Sequence, residues 1–268
     1  MIPSRETIKK DSRIMLSKSN IKLPLIYGIL VCCLAYISLQ LILACIYLTC
    51  SFYMPQIDDN ILYTVIGDII SVISFFIMSP LLLGFYALAA GLSNGQRPDF
   101  MVIFRYFSSF KLIVRSWLTF CITVLPFALI NLALRVTNII LSSYYFSGNA
   151  FFAQNLQIIV NILIAPALYV IVFLILGRFY PLINAVVCGG DQPFSVCLKK
   201  SLCSTRKKVC EIFLFRMSFL PWILLSTVTF GVLFVIFTLP YMAISYSQYS
   251  SYIITSEYRI NYLGDITQ

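Results

Sequence analysis

The sequence predicts an all-α fold: a polytopic helical membrane protein of about six transmembrane helices, with amphipathic helices at the cytoplasmic interface. Three observations carry this. Of 268 residues, 60% are hydrophobic and 11% charged, with mean hydropathy +0.92, whereas soluble domains run at about 45–50% apolar and about 25% charged. Four stretches carry no charge at all: Leu23–Ile57, Ile69–Gln96, Val136–Gly177 and Met217–Ser256, of 35, 28, 42 and 40 residues. About 20 apolar residues suffice to cross a bilayer. Finally, the cations cluster between these stretches, most densely in Gly190–Arg216 with Lys199, Lys200, Arg206, Lys207, Lys208 and Arg216. Loops rich in Lys and Arg are not translocated, so this one is expected in the cytoplasm and orients the rest.

Residues 1–22 carry six cations against Glu6 and Asp11. Ile8, Ser12 and Met15 share one face at helical spacing, which predicts an amphipathic segment lying on the cytoplasmic surface. A cleaved signal peptide is the rival reading, but the apolar run that follows is longer than a signal allows. Residues 23–256 then read as one membrane domain. Span 1 covers about Leu25–Leu48, and span 2 about Ile69–Leu92, bent or opened near Pro80. The loop at 93–115 holds Gly95-Gln96-Arg97-Pro98-Asp99, then a helical stripe of Phe100, Ile103, Phe104, Phe107 and Phe110. A short amphipathic helix follows, its apolar face in the membrane or against the spans.

Span 3 covers about Ser116–Leu134 and span 4 about Ile158–Gly177, joined by an uncharged aromatic loop suited to the outer interface. The loop at 178–216 leads to span 5, about Ile212–Ser226. Thr227-Val228-Thr229-Phe230-Gly231 is a break, because Thr and Gly favour a turn there. Span 6, about Val232–Ile254, leads to a cytoplasmic tail at 257–268. With six spans and both termini inside, every Lys and Arg except Arg135 lies on the cytoplasmic side. Arg135 and Asp68 are expected to meet at the outer interface as a pair.

The two large loops repeat one pattern. Gly95 and Pro98 match Gly190 and Pro193 as structural turns, each followed by a basic helix whose second copy has Phe194, Leu198, Leu202 and Val209 as its apolar stripe. Arg97, Arg105, Lys111, Arg115, Lys199, Lys200, Arg206, Lys207 and Lys208 are the residues expected to contact anionic headgroups or a protein partner. Nucleic acid is excluded as the partner, since the net charge of +9 lies beside apolar spans.

The same segments resemble a known family. Pro80–Phe107, PLLLGFYALAAGLSNGQRPDFMVIFRYF, is similar to the P-L-x-x-G…R-G-x-x-P-D…L-F segment of the bacterial membrane family called domain of unknown function 975. Asp191–Arg206, with Pro193 and Lys199-Lys200-Ser201, resembles its second loop, and Met217–Tyr241 its S-F-x-x-W…L-T-L-G-I-G…P-Y segment. Asn94 and Phe194 depart from the family pattern. The resemblance implies the architecture and a bacterial plasma membrane. It supplies no activity, because the family has none assigned.

Chemistry is sparse. There is no His, and the ten acidic residues are scattered. No nucleophile elbow, phosphate loop or zinc-protease motif occurs, so an intramembrane enzyme is a poor reading. The nine cysteines show no C-x-x-C spacing and read as reduced thiols. Cys203 and Cys210, about 10 Å apart along one helix face, are too distant to share a metal at about 2.3 Å. No cofactor is implied. The leading expectation is a non-catalytic scaffold, assembly factor or partner subunit. A small transporter is the alternative, resting on one proline in each of spans 2 to 6 and on deep polar groups such as Asn131 and Asn161.

Overall fold

The computed structural model describes residues 5–53, 59–146, 150–190, 192–206, 208–229 and 231–264. Side chains are described for these except at 19, 43, 50–51, 53, 59–71, 139, 142–146, 150–153 and 256–264. Among the described residues the regular elements are all helices, without a strand. Helices α1 (Arg5–Ser17), α2 (Ser19–Tyr53) and α3 (Asp59–Ser93) are followed by a short 3-10 helix at Phe100–Phe107 and by α4 (Phe110–Phe146). Next come α5 (Ala150–Ile159), α6 (Ala165–Leu176), α7 (Leu182–Cys188) and α8 (Phe194–Ser204). The chain closes with α9 (Val209–Met217), α10 (Leu220–Val228) and α11 (Leu239–Gly264).

Proline shapes the spans in two ways. Pro80 and Pro126 sit inside α3 and α4, which run on without interruption. Pro166 and Pro240 instead follow π-turns at Val160–Ile164 and Phe234–Thr238. A proline ring collides with the carbonyl four residues back and leaves it without a donor. Here those carbonyls, of Ile162 and Ile236, lie within the wider turn, which makes room for the ring. The expected break after α10 is present: Gly231 has φ +81 and its N–H reaches the carbonyl of Ser226. The two arms then close as a hairpin through a 2.9 Å Ser226–Thr238 hydroxyl contact and the Trp222 and Phe237 rings.

Five stretches among the described residues are long and apolar enough to cross a membrane: Asn20–Thr49, Val72–Ser93, Phe110–Asn138, Gln154–Cys188 and Val209–Val228. The protein is therefore a polytopic helical membrane protein. The expected sixth span, 232–254, is not among these five stretches. Its helix α11 carries Ser245, Ser247, Gln248, Ser250 and Ser251, and packs against α1, α3, α7 and α8. Enclosed by protein, α11 needs no continuous apolar surface for lipid.

Burial is concentrated where the helices meet the two basic loops, here termed the basic end. In α2 it ends near Cys32, in α4 near Phe120 apart from Leu141, and in the α5–α6 arm it becomes dense only from Leu176 onward. Leu81, Phe85, Leu88, Phe215, Tyr241 and Tyr249 form the heart of this core. Beyond it, α2, α4 and the α5–α6 arm present Leu41, Ile42, Leu129, Leu132, Ile162 and Leu163 outward, as helices solvated by acyl chains do. Tyr169 donates to Asn131, and Asn138 and Asn161 pair through their amides at 3.4 and 3.5 Å. Asn131 and Asn161 each thus find a partner across α4 and the α5–α6 arm.

Candidate functional site at the basic end

The site begins with two glycines. Gly95 has φ +76 and Gly190 φ +54, conformations that a side chain disfavours. At Gly95 the turn is fully bonded: the Gly95 N–H reaches Leu92 O at 3.1 Å and the Gln96 N–H reaches Gly91 O at 3.0 Å. This double bond pattern closes the C-terminus of α3. Pro98 then folds back over Gly91, where an added Cβ would meet its ring at 3.0 Å. The second turn leads into α8, with Pro193 extended at its N-cap. Both turns place a glycine at positive φ, but the helices after them differ in kind.

The first is not an α-helix. Over Phe100–Phe107 the chain winds with three residues per turn, so positions three apart align. Ile103 and Tyr106 are buried, with Phe100 half-buried above them, while Met101, Phe104 and Phe107 are 68%, 43% and 42% exposed. Phe110, at the start of α4, extends the outward row at 73% exposed. The anticipated single stripe is thus split between two faces, because the winding differs from the assumed period. Arg97, Arg105 and Lys111 are exposed around this apolar row. What fixes the segment is Gly84, whose missing side chain lets the Ile103 backbone lie directly on α3.

In the second loop the inward face of α8 is small and polar rather than apolar. Cys197, Ser201, Ser204 and Thr205 are buried, and Phe194, Leu198 and Leu202 only half-buried. The reason lies in Arg178, just beyond the end of α6: its carbonyl accepts from Ser201 at 3.1 Å and Thr205 at 2.9 Å. Such terminal carbonyls lack helical donors and need others. Lys199 and Arg206 are exposed, and Lys200 and Lys208 half-buried; Lys207 lies outside the described residues. Cys203 and Cys210 fall on separate helices, α8 and α9.

Arg115 departs from its expected role. It is 8% exposed, and its guanidinium donates to Gly190 O, to Val186 O at 3.0 Å and to Cys197 Sγ at 3.3 Å. It therefore faces protein, not headgroups. It ties the start of α4 to the second glycine turn and to α8, joining the two loops into one surface. Gly189 permits this approach, since a Cβ there would lie 3.0 Å from Cys197 Sγ.

Helix α1 is likewise a packed element rather than one lying free on the surface. Ile8, Ser12 and Leu16 are its buried face, and it lies on α11 and α2. Ser12 donates to Gln248 at 2.8 Å, and Lys9 to Ser218 O at 3.2 Å while sitting 4.6 Å above the Phe219 ring. Burial, and then the charges of Arg13 and Arg5, lowers the Lys9 ammonium pKa from its ordinary value. Arg13 covers the rings of Trp222 and Tyr241. Since Ser247 also bonds Ser93 at 2.9 Å, α1, the end of α3 and the middle of α11 all lie at the basic end. Ser12→Ala should loosen this packing, and trypsin should then cut the full-length protein at Lys9 and Arg13 several-fold faster in detergent. An unchanged cleavage rate would show that the Ser12 bond does not hold α1.

The Asp68 side chain lies outside the described residues, so the pair with Arg135 does too. Arg216, the last cation of the loop at 178–216, lines a cavity of about 320 Å³ with Tyr86, Phe173, Tyr180, Leu220 and Tyr246. Its only sequence signal is that it closes the last basic loop, directly before a charge-free run. No family model, curated protein or solved structure matches this chain.

Proposed function

We propose that the protein is a non-catalytic membrane scaffold or partner subunit whose basic end faces the cytoplasm and holds the anionic leaflet. The observation that carries this reading is the outward row of Met101, Phe104, Phe107 and Phe110 among Arg97, Arg105 and Lys111. Apolar side chains flanked by cations suit the headgroup–acyl boundary, where burial and surface charge act together. Because Ile103 sits on Gly84, the row is presented by a rigid element. The exposed Lys199 and Arg206 extend the same charged surface. The interhelical bonding of Asn131 and Asn161 supports a packed bundle over a transport path. Residues of α1 and α11 meet at the basic end, in keeping with both termini on the cytoplasmic side.

The test places a reporter in the row. In full-length protein with Trp117→Phe and Trp222→Phe, Phe104→Trp should be quenched by lipids brominated near the headgroup and poorly by iodide in water. At low salt, brominated phosphatidylglycerol should quench more than brominated phosphatidylcholine. Each of Arg97→Gln, Arg105→Gln and Lys111→Gln should cut that preference by up to about fivefold, since a surface cation is worth about 1 kcal/mol near an anionic leaflet. Added salt should weaken it as well. Quenching by iodide, with none from brominated lipid, would overturn the reading.

A further inference from the structure

We infer that the cavity at Arg216 binds one anionic amphiphile, its acidic head on the guanidinium and its chain along the apolar wall. None of the leaflet-facing row lines this cavity. Arg216 is half-buried, with its guanidinium carbon 4.0 Å above the Phe173 ring centroid and 5.8 Å from that of Tyr180. Among the described residues no carboxylate forms an ion pair with it. Glu211, the acid on the same helix, lies five residues earlier and so well round the helix from it. Aromatic faces attract a cation but carry no net charge to neutralise it.

The rest of the cavity suits an amphiphile better than a bare anion. Its wall is mostly apolar, with Phe173, Leu220, Ile223 and Met242 beside Tyr246. Leu220 is 47% exposed, so the cavity meets the lipid-facing surface there. Polar groups gather at the Arg216 side: the Tyr246 hydroxyl donates to the Tyr180 carbonyl, and the buried Tyr180 hydroxyl has no hydrogen-bond partner. A phosphate ion would leave the apolar wall unused, and a neutral lipid would leave the guanidinium without a counter-charge. A phosphodiester-headed lipid and a fatty carboxylate share the required chemistry: one acidic head and one apolar chain.

The experiment is native mass spectrometry of the full chain in mild detergent, at about 0.5 M salt so that attraction at the exposed cations is screened. Dioleoylphosphatidylglycerol, oleate, dioleoylphosphatidylcholine and inorganic phosphate are added separately. One phosphatidylglycerol or one oleate should be retained per chain, and either result supports the site while naming its preferred head. Arg216→Gln should lower retention about tenfold, the scale of a lost charge-assisted contact. Leu220→Trp, which fills the mouth from an exposed position, should do the same and covers the case in which Arg216→Gln does not fold. Arg105→Gln and Lys199→Gln should change nothing. Equal retention of phosphatidylcholine, inorganic phosphate bound as well as lipid, or full retention by both cavity variants would overturn the inference. Failure of the leaflet reading would leave these results unaffected.

Discussion

Gly84→Ala is expected to deny most of the protein its native packing. A Cβ at this position would lie 1.9 Å from the Ile103 carbonyl oxygen, 2.6 Å from its carbon and 2.8 Å from its Cα. These are backbone atoms of a segment whose Ile103 is fully buried, so no side chain can rotate aside. Overpacking typically costs about 1–3 kcal/mol, and a collision with backbone belongs at or above the top of that range. The 100–107 segment would lift from α3, and Tyr106 and Ile103 would lose their cover. The measurement is the monodisperse fraction and thermal midpoint in mild detergent, with Gly91→Ala as the comparison. There the added methyl meets only the Pro98 ring, at 3.0 and 3.4 Å, and a smaller loss is expected. A Gly84→Ala protein that melts with the wild type would show that the segment is not seated on α3.

Arg115→Met should give the second largest effect. The side chain keeps its length and apolar stem while the guanidinium is removed, leaving the carbonyls of Gly190 and Val186 without their donor. Hydrogen bonds to a charged group contribute about 1.5–3 kcal/mol each, and unsatisfied buried acceptors add to the loss. A total cost of about 2–4 kcal/mol follows if the turn does not relax to water. Arg115→Lys keeps the charge but lacks the fork that reaches several acceptors at once, so it should fall between. Hydrogen exchange at Gly189–Leu198 should accelerate in Arg115→Met and not in Lys111→Gln, whose parent side chain is exposed. Equal protection in both would return Arg115 to the surface role that its position in a basic loop suggests.

Much of the architecture was legible in the residues. The helical class, the break at Thr227–Gly231 and the two glycine turns follow from local rules: apolar length, and the need for glycine at positive φ. Gly95, Gly190 and Gly231 all adopt that conformation. Arg97, Arg105, Lys111, Lys199 and Arg206 are exposed, as unpaired charges generally are. Other parts depend on neighbours remote in sequence. Arg115 is indistinguishable from Lys111 in composition, yet carbonyls about seventy residues later draw it inside. The row beginning at Phe100 fits an α-helical period on paper, but docking on Gly84 accompanies a tighter winding that divides it.

The sequence by itself determined that this chain belongs in a membrane, where its helices turn and where its charge gathers. Tertiary structure alone decided which helices meet lipid and which meet protein. Hydropathy records the avoidance of water, and acyl chains and a protein interior satisfy it equally. Leu41 and Leu88 are therefore equivalent in the sequence, although one is 61% exposed and the other fully buried. The polar helix α11 shows the converse. It carries serines and tyrosines and is not among the five lipid-grade stretches, yet it lies in the core because α1, α3, α7 and α8 surround it.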